Sequence, residues 1–166
     1  MLKEIDIRQV KENMVHLISD DWALVTAGKA DNFNTMTVSW GGIGELWGKD
    51  MVTLYIRPQR YTYEFLEDNN YFTLSFYPDD KKDVLKFCGA NSGRDVDKVE
   101  KTGLTPVFYE KAPYFEEAKL VLVCRKMAKS QFTTDQFIDS TIMKQYVAGD
   151  FHYIYYGAVE KVLISE

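Results

Sequence analysis

One stretch decides the fold prediction: Asn34-Thr35-Met36-Thr37-Val38-Ser39-Trp40. Thr35, Thr37 and Ser39 occupy every second position, so a strand here places three hydroxyls in one row. Trp40 then offers a large flat surface, and the following Gly41-Gly42 lets backbone approach a ligand closely. The alternative is the wet face of an ordinary antiparallel strand, where Thr and Ser are common. The row and its neighbours indicate a wall that suits a flat polar ring.

A cationic segment follows at Arg57-Pro58-Gln59-Arg60-Tyr61-Thr62. A short helix is predicted to begin at Pro58 and to continue over residues 61–68. A phosphomonoester needs forked donors, hydroxyls and the free N–H groups of a helix start. Arg57, Arg60, Tyr61 and Thr62 supply these within six positions. From this segment alone, a solvated pair of surface arginines is slightly favoured over a phosphate site.

A third segment runs from Cys88 to Lys98 and combines glycines, a helix start and two cations. Ser92, Gly93 and Lys98 form a second possible anion contact. The pattern places a helix end at Gly89 and a helix start at Ser92. An ordinary capped surface helix explains the segment equally well.

The remaining pattern predicts a mainly β protein with a few short helices. Residues 51–57 and 71–77 alternate with period two, whereas 120–124 and 153–164 are apolar on both faces. Such runs suit central strands or strands buried against a partner chain. Many strands and few helices, including one predicted over residues 10–18, indicate a barrel or sandwich. We expect one domain over residues 1–166.

Composition restricts the partners and the compartment. The 20 basic and 25 acidic side chains are mixed along the chain and give a net charge of −5, which argues against a nucleic-acid partner. No apolar run resembles a signal peptide or a membrane span, so we expect a cytoplasmic protein that contacts no membrane. Cys88 and Cys124 are then expected to be free thiols.

The two histidines, His16 and His152, lie far apart in sequence and no ligand spacing surrounds either, so no metal site is predicted. His152 is a candidate for proton transfer or donor contact, although a structural strand-edge histidine is favoured from the sequence. Cys88 is a further candidate, as a nucleophile, but it lacks a convincing general base.

Taken together and in order, these segments resemble the flavin reductase-like, FMN-binding split-barrel family, and within it the flavoredoxins. The motifs are residues 34–42, 57–64, 88–98 and the closing Gly149-Asp150-Phe151-His152. They cover nearly the whole chain. Many flavin reductases of this family have His directly after Gly-Asp, whereas here Phe151 intervenes. That departure favours a carrier-like member.

The resemblance implies a Greek-key split β-barrel that forms a homodimer and holds FMN non-covalently near the subunit interface. By position, Thr35, Met36, Thr37, Ser39 and Trp40 would line the isoalloxazine and ribityl chain. The phosphate would be held by Arg57, Arg60, Tyr61 and Thr62, with Ser92, Gly93 and Lys98 closing the site. NAD(P)H or a redox protein would be the electron donor.

Three functions stay open at this point. The first is an FMN-dependent oxidoreductase that transfers electrons through the flavin. The second is a non-catalytic flavin-binding or storage module on the same barrel. The third is a hydrolase that uses Cys88 as a thiol nucleophile.

Overall fold

The protein is mainly β with short helices, as predicted, and the computed structural model describes residues 2–166. The strands are β1 Leu2–Ile5, β2 Ala23–Lys29, β3 Asn32–Val38, β4 Gly41–Leu46, β5 Lys49–Ile56, β6 Tyr71–Phe76, β7 Pro106–Val107, β8 Tyr114–Phe115, β9 Leu120–Gln131 and β10 Tyr153–Ser165. The helices are α1 Met14–His16, α2 Tyr61–Asp68, α3 Lys82–Ala90 and α4 Lys98–Thr102. Shorter 3-10 segments span Ile7–Gln9, Asp79–Lys81, Thr134–Gln136 and Ser140–Tyr146, and wide helical turns continue α1 over Leu17–Asp21.

Seven strands form one antiparallel sheet in the order β3-β2-β6-β9-β10-β5-β4, and β1 pairs with the end of β10. The two edge strands of this order, β3 and β4, are joined by Ser39 and Trp40 alone. Because two residues span only a few ångströms, the sheet must curl until its two edges meet at this point. The result is a barrel that stays open along the free side of β3.

The apolar runs at residues 120–124 and 153–164 are central strands, which confirms that prediction. Residues 120–124 of β9 are all buried, since alternate side chains enter two different cores. Leu122 and Cys124 pack inside the barrel, whereas Val121 and Val123 face a second cluster with α3. Both faces of the sheet centre are therefore covered.

Local signals explain where the predicted boundaries were wrong. The first helix begins at Met14 rather than Val10, because Asn13 Oδ1 accepts hydrogen bonds from the amides of Val15 and His16. The helix predicted to begin at Ser92 begins at Lys98, where Asp97 caps it by accepting from the amide of Glu100. Its predicted end at Gly103 is confirmed, with φ of 70°.

Gly89 does not end a helix, because α3 continues through it to Ala90. A Cβ at position 89 would lie 3.3 Å from Thr37 Cβ, tighter than most side-chain contacts. The glycine therefore lets α3 pack closely on β3. Among residues 2–166, no helix has the length and apolar character that a membrane crossing requires.

Candidate functional site

A groove follows the free edge of β3, the strand that the sequence singled out. Two cavities form it: a central cavity of about 250 Å³ and a cationic cavity of about 160 Å³. Met36 and Arg60 line both, so the cavities are neighbours. Five consecutive residues, 36–40, line the central cavity. The first three belong to β3, which can line a cavity continuously because an edge strand presents its backbone as well as its side chains.

The cationic cavity holds two positive groups, the half-buried Arg60 and the buried Lys98. Lys98 is 5% exposed, and its Nζ donates to the carbonyl oxygens of Thr35 (2.7 Å) and Cys88 (2.8 Å). Arg60 Nη2 donates to the carbonyl of Gly89 at 3.0 Å. No aspartate or glutamate of residues 2–166 lines this cavity.

Burial therefore acts on charges that have no carboxylate beside them. It lowers the pKa of Arg60, and it lowers the pKa of Lys98 to about 8, with the nearby Arg60 charge adding to the effect. Burying Lys98 and half-burying Arg60 without an acid beside them carries a desolvation cost. An anionic ligand in the cavity would remove that cost.

Neutral groups shape the same cavity. Asn34 Nδ2 donates to the hydroxyl of Thr62 at 2.8 Å, and Thr62 is fully buried, so Thr62 orients Asn34. Gly93 packs so closely that a Cβ there would lie 2.1 Å from Asn34 Oδ1. Ser92 Oγ accepts from the amide of Arg94 at 3.1 Å and rigidifies the turn. The backbone at Gly93 can approach a ligand because it carries no side chain.

Arg57 lines the central cavity together with Arg60 but does not line the cationic cavity. Its Nη1 is 2.8 Å from Asp150 Oδ2, and its Nη2 donates to the carbonyl of Gln145 at 2.9 Å. The guanidinium also lies over the ring of Tyr146, 5.0 Å from its centroid. Arg57 thus organises the segment before β10 and lines the central cavity rather than the cationic one.

The hydroxyls of Thr35, Thr37 and Ser39 have different surroundings: the first two make contacts within the fold, and the third lines the groove. Thr35 is 2% exposed, and its Oγ1 lies 2.9 Å from Thr26 Oγ1 on β2. Thr37 Oγ1 donates to the carbonyl of Leu85 at 2.5 Å and so fixes α3 against β3. Ser39 lies past the end of β3 and lines the central cavity beside Trp40. Two of the three hydroxyls therefore hold the wall together.

His152 closes the groove beside Trp40, with ring centroids 5.3 Å apart. Its Nδ1 lies 2.7 Å from the hydroxyl of Tyr146. Burial, followed by the Arg57 charge, lowers the pKa of His152 to about 4, although Asp150 opposes the shift. The imidazole is consequently neutral at neutral pH and can donate one hydrogen bond without adding charge.

The groove gathers every predicted cofactor-binding residue except Thr35, which lies outside the two cavities. Sequence reasoning missed Asn34, Gln145 and Tyr146. Asn34 stood inside the quoted motif, but Gln145 and Tyr146 belong to a 3-10 segment with no apolar periodicity. Only the fold brings that segment to Arg57.

The surroundings of Cys88 do not suit a nucleophilic thiol. It is fully buried, and burial raises the pKa of its thiol to about 11 despite the nearby Lys98 charge. The reactive thiolate is therefore scarce at neutral pH. Within residues 2–166, no group of three or more His, Cys, Asp or Glu side chains is arranged to hold a metal ion.

Comparison with known proteins connects this geometry to a family. Residues 15–166 match the family model described as flavin reductase like domain. No curated protein matches the chain. Among solved structures, flavoredoxin from Methanosarcina acetivorans is similar with 20% identity and a TM-score of 0.71, over 98% of this chain and 74% of that one.

Two further structures have the same fold. The FMN-binding protein from Thermus thermophilus shares 20% identity and a TM-score of 0.69, over 96% of this chain and 79% of that one. The NADH:FAD oxidoreductase SgcE6 of Streptomyces globisporus, in complex with NAD and FAD fragments, shares 17% identity and a TM-score of 0.67, over 87% of this chain and 74% of that one. These likenesses confirm the predicted split barrel. The family match covers most of the chain, and the protein belongs to the flavin reductase-like, FMN-binding split-barrel family.

Proposed function

We propose that this protein is a flavoprotein oxidoreductase that binds FMN non-covalently in the groove and transfers electrons through it. Membership of the flavin reductase-like family supports flavin binding and a redox role. The observation that carries the proposal is the cationic cavity, which the half-buried Arg60 and the buried Lys98 line without an acid. It adjoins the central cavity, which Trp40 and His152 line.

The donor set fits a flavin mononucleotide. Arg60 and Lys98 would hold the phosphate, with Ser92, Gly93 and the α2 start around it. The free edge of β3 at residues 36–38, followed by Ser39, would follow the ribityl chain and the polar edge of the ring. When bound, FMN supplies the redox chemistry, and the chain supplies binding, orientation and electrostatics.

The chain's own groups set the electrostatics of the groove. Arg57 is paired with Asp150, so this pair adds little net charge beside the ring site. His152 stays neutral and offers a donor rather than a proton at neutral pH. No protein acid or base is assigned to the reaction.

We also propose a homodimer in which the flavin lies near the subunit interface, and NAD(P)H or a redox protein as the electron donor. The relative named as an NADH:FAD oxidoreductase supports the nucleotide. The second candidate is flavin storage on the same barrel. Phe151, which separates His152 from the Gly-Asp pair and packs with its ring centroid 5.0 Å from that of Tyr146, favours a carrier-like member that exchanges electrons with a redox protein.

The test is the spectrum of the purified protein and its reduction. We expect flavin absorption bands, release of FMN on denaturation, and stopped-flow bleaching by NADH, NADPH or a reduced redox protein. A protein that is colourless and takes up no added FMN contradicts the proposal. Bound flavin that no donor reduces would assign the protein to storage.

A further inference from the structure

The turn of residues 92–96 carries Ser92 and Gly93, which line the cationic cavity. Its own hydrogen bonds are local, because the amides of Asp95 and Val96 donate to the carbonyl of Ser92 at 3.1 and 3.2 Å. Gly93 brings the turn against α2, where a Cβ on this residue would lie 3.0 Å from Tyr61 Cδ1. These contacts shape the turn, but none of them is a hydrogen bond to α2.

The side chain of Arg94 joins this turn to α2. Among residues 2–166, the hydrogen bonds that connect residues 92–96 to the rest of the chain all come from its guanidinium. Nη1 donates to the carbonyl of Gln59 at 3.2 Å, and Nη2 donates to Glu64 Oε1. The guanidinium carbon lies 4.7 Å from the centroid of the Tyr61 ring, within the range of a cation–π contact.

Arg94 stays outside the phosphate site that it borders. Gln59, Tyr61 and Gly93 line the cationic cavity, whereas Arg94 lines a neighbouring cavity of about 550 Å³. The guanidinium therefore connects two walls of the phosphate site without lining the site itself. Its contribution to ligand binding is then expected to come through the position of those walls.

We infer that Arg94 is a positioning residue that holds the 92–96 turn against the start of α2 and slows the release of a bound flavin phosphate. The effect on release rests on the proposed function. An exposed ion pair adds little by itself, but the same guanidinium also binds a carbonyl and lies over a ring. Lysine would keep the charge but not the planar fork that makes these contacts together.

The rate of FMN release from the full chain tests this inference. Arg94→Met keeps the apolar stem and removes the guanidinium. We expect its FMN dissociation rate, measured by stopped-flow displacement, to rise about three- to tenfold, with a nearly unchanged association rate. Riboflavin lacks the phosphate, so its dissociation rate should be the same in both proteins. Arg94→Lys should behave like Arg94→Met.

Arg125→Met is the matched control. The side chain of Arg125 is 40% exposed, against 43% for Arg94, and its Nε lies 2.7 Å from Glu160 Oε1. Arg125 and Glu160 line neither the central nor the cationic cavity. Removing this equally exposed ion pair should therefore leave FMN release unchanged.

Hydrogen exchange gives a second measurement that needs no flavin. The amides of Asp95 and Val96 are hydrogen-bonded within the turn, so they report on its opening. In the flavin-free protein, both amides should exchange faster in Arg94→Met than in the wild type or in Arg125→Met.

An unchanged FMN dissociation rate in Arg94→Met would overturn the inference. Full recovery in Arg94→Lys, or a slower association at an unchanged dissociation rate, would also overturn it, because Arg94 would then act through its charge alone. Equal acceleration of riboflavin release would show general loosening instead of phosphate retention. A protein that takes up no FMN contradicts the proposed function, whereas unchanged exchange at Asp95 and Val96 contradicts the role of Arg94 in holding the turn.

Discussion

Lys98 Nζ lies 2.7 Å from the carbonyl oxygen of Thr35, so a buried ammonium group is anchored to the edge strand rather than to a carboxylate. Thr35 was predicted to line the flavin site. Its hydroxyl lies 2.9 Å from that of Thr26 on β2, and its carbonyl oxygen holds the ammonium group of α4 against β3. The positive charge of the cationic cavity is therefore fixed before any ligand arrives, and fixed donors bind at a lower entropic cost.

The first prediction concerns pH. Lys98 binds an anion best when protonated, and burial lowers its pKa to about 8. FMN affinity should therefore fall as pH rises above about 8, by at most about tenfold per pH unit. Below about pH 6, protonation of the phosphate itself should also weaken binding. Fluorescence titration between pH 6 and 10 measures this.

Lys98→Met is the matched variant for the pH profile, because it keeps the apolar stem and removes the charge. Its FMN affinity should be lower at pH 7 and nearly constant between pH 7 and 10. The same alkaline decline in this variant as in the wild type would exclude Lys98 as its origin.

The second prediction uses a close approach. In Gly93→Ala, the new Cβ would meet Asn34 Oδ1 at 2.1 Å and would displace Asn34 from Thr62. We expect FMN affinity to fall more than about tenfold, the cost of losing one to two hydrogen bonds. Gly44→Ala is the control, since nothing lies within 4 Å of its Cβ. Equal FMN affinity in the two variants would refute a tight cradle at Gly93.

The third prediction separates the two arginines of the predicted phosphate motif. Arg57→Ala removes the contacts to Asp150 and Gln145 and should lower the melting temperature, because it leaves Asp150 without its partner. It should preserve the preference of the protein for FMN over riboflavin. Loss of that preference in Arg57→Ala would show that Arg57, and not Arg60, contacts the phosphate.

The fourth prediction concerns His152 and acid stability. Burial lowers its pKa to about 4, below the value of about 6.5 in an unfolded chain. The unfolded state therefore binds more protons between these values, so this contribution is full above about pH 6.5 and is lost as pH falls toward 4. Between pH 7 and 4.5, the wild type should lose about 2 kcal/mol more unfolding free energy than His152→Gln. Urea unfolding at both pH values measures the difference, and equal losses would contradict a buried neutral imidazole.

Much of the barrel and of the groove could be predicted from the sequence. Alternation at residues 51–57 and two-faced apolarity at 120–124 follow directly from strand geometry, and both predict strands that the structure contains. The end of α2 at Asp68 was predicted correctly, because Asn69 follows it, whereas the helix begins at Tyr61 and not at Pro58. Where a single local signal in the sequence is strong, it is enough to predict the helix or strand that forms there.

Side-chain direction could not be predicted in the same way. Period two places Thr35 and Thr37 on one face, but it does not tell which hydroxyl a neighbouring element will use. Arg57 and Arg60 look alike in sequence, yet Asp150 pairs with the first and burial beside Lys98 distinguishes the second. These partners are distant along the chain, so only the folded structure sorts the residues by role.

The central claim is that Arg60 and Lys98 form a phosphate site at the end of a flavin groove, and riboflavin tests it most directly because it lacks only that phosphate. Calorimetric titration at pH 7 should show FMN binding about 100-fold or more tighter than riboflavin, as two charge-assisted contacts would give. The double variant Arg60→Ala/Lys98→Met should lose this preference, while the exposed Lys101→Met should keep it. Equal affinity of the wild type for FMN and riboflavin would contradict the account.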